Sequence, residues 1–252
     1  MKISVCGKGG SGKSTLVTLL ANEVQARGMT VLVVDSDESN SGLFRMLGLK
    51  QPPTPLMELV GGKRSLKAKM GQPSILVESQ IPLEQIPHHY IVRQNSLLLV
   101  NIGKILQSLE GCACPMGVLS REFLRKLRLG ENEIAIVDME AGVEHFGRGI
   151  DTSIDRVLIV VEPSFESICL AEKIKSLTAG IERNTVAVLN KITSEDVAGK
   201  LKIELEKRGI NPIGILPYDP AVFEACLEGH ALGKGTAANQ AGKILDALLT
   251  SH

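Results

Sequence analysis

Gly7-Lys8-Gly9-Gly10-Ser11-Gly12-Lys13-Ser14-Thr15 follows directly on a short apolar run, Ile3-Ser4-Val5-Cys6, and leads into Leu16, Leu19, Leu20 and Val24 at helical spacing. The stretch reads as a phosphate-binding loop between a strand and a helix. Its glycines let the backbone curl so that several N–H groups point inward, and the helix that follows adds its positive N-terminal end. Lys13 is placed to reach the terminal phosphates of a nucleotide, and the Ser14 hydroxyl to sit on Mg²⁺. Gly28 stands where a helix C-cap belongs.

Working outward, Thr30-Val31-Leu32-Val33-Val34 is a continuous apolar run suited to a buried parallel strand. It ends in Asp35-Ser36-Asp37-Glu38-Ser39-Asn40, which puts carboxylates at a strand's C-terminal edge, over the crevice where nucleotides bind in open α/β sheets. Glu133-Ile134-Ala135-Ile136-Val137 delivers Asp138 in the manner of a Walker B carboxylate that helps hold Mg²⁺. The rhythm repeats downstream: strands at 156–161, 185–189 and 212–216, helices at 166–179 and 195–208, and a terminal helix around 242–249. The expected architecture is one α/β P-loop NTPase domain over residues 1–252, with a mostly parallel central sheet flanked by helices.

Composition narrows the function. Lys and Arg number 28 against 28 Asp and Glu, so no basic field argues for nucleic acid or an anionic membrane surface. Trp is absent and aromatics are few, which removes most base-stacking platforms. No apolar run approaches the ~20 residues of a membrane span, and the first strand begins without a leader, so a cytoplasmic protein is expected. In such a chain of 252 residues, five cysteines suggest thiols or metal ligands rather than a disulfide framework. Cys6, Cys169 and Cys226 fall among apolar residues and read as small core hydrophobes.

Cys112-Ala113-Cys114 reads differently. Two thiols two residues apart share a face of an extended backbone, but they make only half of a soft-metal site, and no third ligand lies near in sequence. A twofold axis would supply the other half, giving four sulfurs suited to zinc or an iron-sulfur cluster, or in a flattened arrangement to nickel(II). His88-His89 reads as loop. Residues 48–73 look like an irregular excursion around one or two short helices, and 74–78 and 96–101 read as strands.

Lys8-Gly9-Gly10 resembles the deviant loop of the MinD/ParA and nitrogenase iron protein group, in which the early lysine crosses a dimer interface to the partner's nucleotide. The resemblance implies a nucleotide-sandwich homodimer. It also implies a switch I at 35–40, with Asp37 orienting the attacking water and sharing the Mg²⁺ site with Ser14 and Asp138. Glu38 and Glu140 depart from the prolines common in that class. After Asn190-Lys191 the chain has Thr193 where guanine recognition needs an aspartate, so adenine is expected, with Asn190 and the Pro217-Tyr218-Asp219 loop against the base by family analogy. Asp138-Met139-Glu140-Ala141-Gly142-Val143-Glu144-His145-Phe146-Gly147-Arg148-Gly149, placed after Cys112-x-Cys114, resembles the CooC-type ATPases that mature nickel carbon monoxide dehydrogenase. That resemblance implies ATP and Mg²⁺ as cofactors, Ni²⁺ or Zn²⁺ held by Cys112 and Cys114 of two subunits, and the dehydrogenase as client. Two other functions share the fold: a positioning or partition ATPase, for which neutral charge and an unbasic terminal helix are unsuited, and an ATP-dependent iron-sulfur reductase, which draws its cluster thiols from well-separated positions.

Overall fold

The computed structural model describes residues 1–69, 72, 74–104, 114–142, 153–179 and 184–250. Among these, the strands are β1 (Lys2–Gly7), β2 (Thr30–Asp35), β3 (Ile81–Pro82), β4 (Ile91–Gln94), β5 (Leu97–Asn101), β6 (Leu127–Arg128), β7 (Glu133–Asp138), β8 (Arg156–Val161), β9 (Asn184–Ile192) and β10 (Asn211–Pro217). The helices are α1 (Lys13–Ala26), α2 (Leu43–Met46), α3 (Leu56–Leu59), α4 (Gly62–Lys69), α5 (Cys114–Lys126), α6 (Phe165–Thr178), α7 (Glu195–Glu206), α8 (Pro220–Glu228) and α9 (Thr236–Thr250).

Eight strands form one sheet in the order β10-β9-β8-β1-β7-β2-β5-β4, and β3 pairs with β6 in a small second sheet. All neighbours in the large sheet are parallel except β4, which returns antiparallel against β5 through a turn where Asn95 has φ 55°. The central strands are apolar on both faces because both faces are covered. In β2, Leu32 and Val34 enter the core on one side, and Val31 and Val33 the core on the other. Helix α1 buries Leu16, Leu19, Leu20 and Val24 against the second of these cores. Each such side chain removed from water contributes about 1.5–3 kcal/mol.

Parallel register carries the loop residues to one edge. Val5 pairs with Asp138, and Asp35 also pairs with Asp138. The ends of β1, β7, β2, β8, β9 and β10 therefore open onto a single crevice, where chain order reverses on either side of β1.

Three expectations are corrected. Residues 74–78 are not a strand: the N–H groups of Ile75 and Leu76 donate to the Glu122 carboxylate on α5, and Lys126 donates to the Leu76 carbonyl, so side chains take the place of a ladder. Cys169 is exposed because α6 buries Ser167, Ala171, Ile174 and Thr178, and position 169 lies about 200° round the helix from 167. Cys226 is exposed because α8 buries none of its residues. Cys6 is buried as expected, and burial pushes its thiol up to about 12.

Candidate functional site

The loop after β1 is shaped by three glycines in the left-handed region, Gly7, Gly10 and Gly12, at φ 145°, 79° and 94°. At two of them an added side chain would also meet a neighbour. A Cβ on Gly7 would lie 2.6 Å from the Val160 carbonyl oxygen, and one on Gly12 would lie 2.1 Å from Asn190 Nδ2. Gly12 is also the N-cap of α1 and offers no side-chain cap, so the orphan N–H groups of the first turn remain directed at the crevice. Gly9 faces the stretch after β7, where a Cβ on it would lie 3.7 Å from Ala141 Cβ, at ordinary contact distance. Lys13 is buried, with Nζ donating to the Lys8 carbonyl at 3.3 Å. Thr15 opens onto the cavity on the base side.

Ser14 Oγ donates to Asp138 Oδ2 at 2.6 Å and accepts from Asn40 Nδ2 at 2.8 Å. Asp138 is fully buried, and its Oδ1 has no partner among the described residues. Burial pushes its carboxyl up to about 7; the Ser14 hydrogen bond works against this and the charge of Asp35 adds to it. An unpaired buried carboxylate oxygen costs about 1–3 kcal/mol, and a hydrated divalent cation beside Ser14 would satisfy it. The residues present therefore fit Mg²⁺, which when bound neutralises phosphate charge.

Asp37 Oδ1 accepts from Ser39 N and Oγ, at 2.9 and 2.6 Å, and from Asn40 N at 3.3 Å, so one of its oxygens shapes the switch I turn. Beneath it, Asp35 forms a buried ion pair with Lys104 at 2.7 Å. Burial raises the Asp35 carboxyl to about 6 even with Lys104 pulling the other way. Lys104 also donates to the carbonyls of Asp37 and Asn40. Glu38 is buried, its Oε2 unpartnered among the described residues, and burial with the charge of Glu140 raises it to about 7.

Lys8, the second loop lysine, pairs with Glu162 at 3.2 Å, and the other oxygen of Glu162 pairs with Lys191 at 2.9 Å. Burial would raise the Glu162 carboxyl, but the two ammonium groups hold it below its ordinary value. Lys191 has φ 58° and donates to the Gly10 carbonyl at 2.6 Å; Asn190 Nδ2 donates to the Ser11 carbonyl at 2.7 Å. These two side chains brace the phosphate loop from β9.

On the far side of the loop lies a cavity of about 220 Å³, its walls including Gly12, Asn190, Pro217, Tyr218 and Phe223. Tyr218 and Phe223 form a tilted ring pair 6.4 Å apart. Asp219 holds this wall: Oδ1 caps α8 at Ala221 N, 3.0 Å, and Oδ2 accepts from Ala237 N at the start of α9, 3.2 Å.

The loop residues, Asp37, Asp138, Asn190 and Pro217 thus meet in one crevice. Cys112 lies outside the described residues, as do residues 143–149 of the Asp138–Gly149 stretch, and Cys114 is the first residue of α5. Sequence reasoning missed Lys104, Glu162, Lys191, Asn40 and the whole of α8. Only α8 had a legible signal, Asp219-Pro220 at its start and Gly229 at its left-handed end. His88 and His89 sit exposed in a short turn, and among the described residues no group of three His, Cys, Asp or Glu side chains could hold a metal ion. Among the same residues no helix is long and apolar enough to cross a membrane.

A glycine-shaped anion nest at the switch point of a parallel sheet, with a serine and a buried aspartate beside it, defines a P-loop nucleotide-binding protein. Residues 3–232 match the CobQ/CobB/MinD/ParA nucleotide binding domain, and the chain belongs to that family. It is an ATPase of this class. Over 237 residues it is 39% identical to a Methanocaldococcus jannaschii protein described as an uncharacterized ATP-binding protein, covering 92% of this chain and 94% of that one. It is 30% identical over 230 residues to the carbon monoxide dehydrogenase accessory protein CooC of Rhodospirillum rubrum, covering 89% of this chain and 86% of the relative. The septum site-determining protein MinD complexed with Mg-ADP from Pyrococcus horikoshii OT3 shares the fold, with a TM-score of 0.73 at 16% identity over 99% of this chain and 96% of that one.

Proposed function

We propose that this ATPase handles a soft metal ion, nickel, and delivers it to a carbon monoxide dehydrogenase. The observation that carries this reading is the half-site Cys112-x-Cys114 leading into α5 of an otherwise complete P-loop ATPase. Two thiolates from each of two chains make the four-sulfur set that neither chain has alone. The similarity to CooC supports the client, and Lys8 supports the pairing.

In this reading two subunits close over two ATP molecules. Lys13 and the α1 N-terminus hold the phosphates, Ser14, Asp37 and Asp138 hold Mg²⁺, and Asp37 positions the attacking water. Lys8 leaves Glu162 and enters the partner's site, where a cation supplied in trans is worth ~10³–10⁵ in rate in other P-loop enzymes. The Pro217–Asp219 wall and Asn190 receive adenine. Closure holds the ion between the paired thiolates, and hydrolysis loosens the pair so that the ion passes on.

Anaerobic nickel titration with and without ATP tests this, with Cys112→Ser alongside. The expected result is about one ion per two chains, from the half-site argument, and its loss in the variant. Undiminished nickel binding by Cys112→Ser would overturn the ligand assignment. A broad iron-sulfur absorption band with stoichiometric iron and sulfide would replace this function with a reductase.

A further inference from the structure

Switch I is fastened to α5 at two separate points. Ser36 Oγ lies 2.8 Å from Ser120 Oγ on α5, and the pair is buried. The second fastening runs through the stretch after β5. Lys104 joins the Asp35 carboxylate to the carbonyls of Asp37 and Asn40. One residue earlier, Gly103 is pressed against Met116 of α5: a Cβ there would fall 2.3 Å from Met116 Sδ. The Ile102 N–H donates to the Asp35 carbonyl at 3.0 Å, so residues 102–104 lie between switch I and the first turns of the helix that begins at Cys114.

The other end of switch I reaches the nucleotide site, because Asn40 Nδ2 donates to Ser14 Oγ. A cation taking the remaining lone pair of the Ser14 oxygen draws electron density from it and weakens it as the acceptor of the Asn40 hydrogen bond. Nucleotide with Mg²⁺ therefore has a direct reason to favour one arrangement of the loop over another, which any coupling requires. The same loop touches α5 through a hydrogen bond with few alternative partners, since Ser36 and Ser120 are buried.

We propose that Ser36, Ser120 and Lys104 are positioning residues that link nucleotide occupancy to helix α5, Lys104 by setting the switch I backbone and the two serines by transmitting its movement. The functional meaning of this link rests on the reading of Cys114 as a metal ligand; the link itself does not. By reciprocity, whatever binds at the start of α5 changes nucleotide affinity by the same factor that nucleotide changes its own.

Hydrogen exchange across α5 of the full chain, with and without Mg²⁺ and a non-hydrolysable ATP analogue, tests the link. In the wild type, protection within 115–126 changes at least about fivefold, the lower range of measured couplings. Ser120→Ala weakens the response, leaving only what the Gly103–Met116 contact carries, and Ser36→Ala with Ser120→Ala does no more than either change alone, because both remove one bond. Lys104→Met weakens nucleotide binding about tenfold; should it leave Asp35 unpaired and fail to fold, the serine variants still decide the matter. An α5 that ignores nucleotide in the wild type, a response undiminished in Ser120→Ala, or additive serine effects would each overturn the proposal. Nickel titration then separates the two readings. Ser120→Ala is expected to bind nickel while nucleotide shifts its affinity less than in the wild type. A wild type that binds no nickel but shows the exchange response refutes the metal function and leaves the link standing.

Discussion

Replacing Glu122 with Gln removes the charge that pins residues 74–76 to α5. Glu122 Oε1 accepts from Ser74 Oγ at 2.7 Å, Leu76 N at 3.0 Å and Lys126 at 2.8 Å, and Oε2 accepts from Ile75 N at 2.9 Å. Burial alone would raise this carboxyl, but those donors hold it down at about 2, from an ordinary 4.5. A buried acid depressed that far contributes about 3 kcal/mol at neutral pH. The sign follows from the depression: the contribution is fully present above the unfolded value and is lost as pH falls towards the folded one. In Glu122→Gln one carboxylate oxygen becomes an NH₂ facing an N–H or an ammonium, so the whole contribution is forfeited. Urea unfolding at pH 7 should place the variant about 3 kcal/mol below wild type, and at pH 3 about half that, where only the unfolded state has taken up its proton. Amide exchange at Ile75 and Leu76 should accelerate in parallel. A stability difference equal at pH 7 and pH 3 would refute the charge argument and leave packing as the cause.

Glu162→Gln frees Lys8 from its resting partner. Lys8 is 38% exposed in that pair, so the contact is worth about 1 kcal/mol at most after screening. The proposed closure breaks two such pairs per dimer, so sedimentation velocity with ATP should then show a dimer up to about thirtyfold tighter, and a looser dimer would show that Glu162 assists Lys8. Gly12→Ala puts a Cβ 2.1 Å from Asn190 Nδ2 at a φ of 94°. Nucleotide affinity should fall at least about tenfold and the melting temperature with it, from strain of about 1–3 kcal/mol; wild-type binding of a fluorescent ATP analogue would contradict the loop geometry.

Short-range chemistry fixed most of the fold and the phosphate side of the site in the sequence alone. Gly7 to Thr15 is contiguous, its glycines shape their own backbone and Lys13 donates within the loop, and apolar strands ending in Asp35 and Asp138, with Asp37 just beyond the first, follow from periodicity and parallel pairing. What only the tertiary structure decided are partnerships between residues far apart in the chain: Lys104 with Asp35, Glu162 with Lys8 and Lys191, Ser36 with Ser120, Glu122 with the backbone of Ile75 and Leu76. No local pattern marks them, because a lysine or serine reads the same on a solvated face as in a buried network. The false strand at 74–78 and the misplaced Cys169 and Cys226 have this same origin. Apolar neighbours in sequence show that a segment can be buried, and only the packed chain determines which of its faces is.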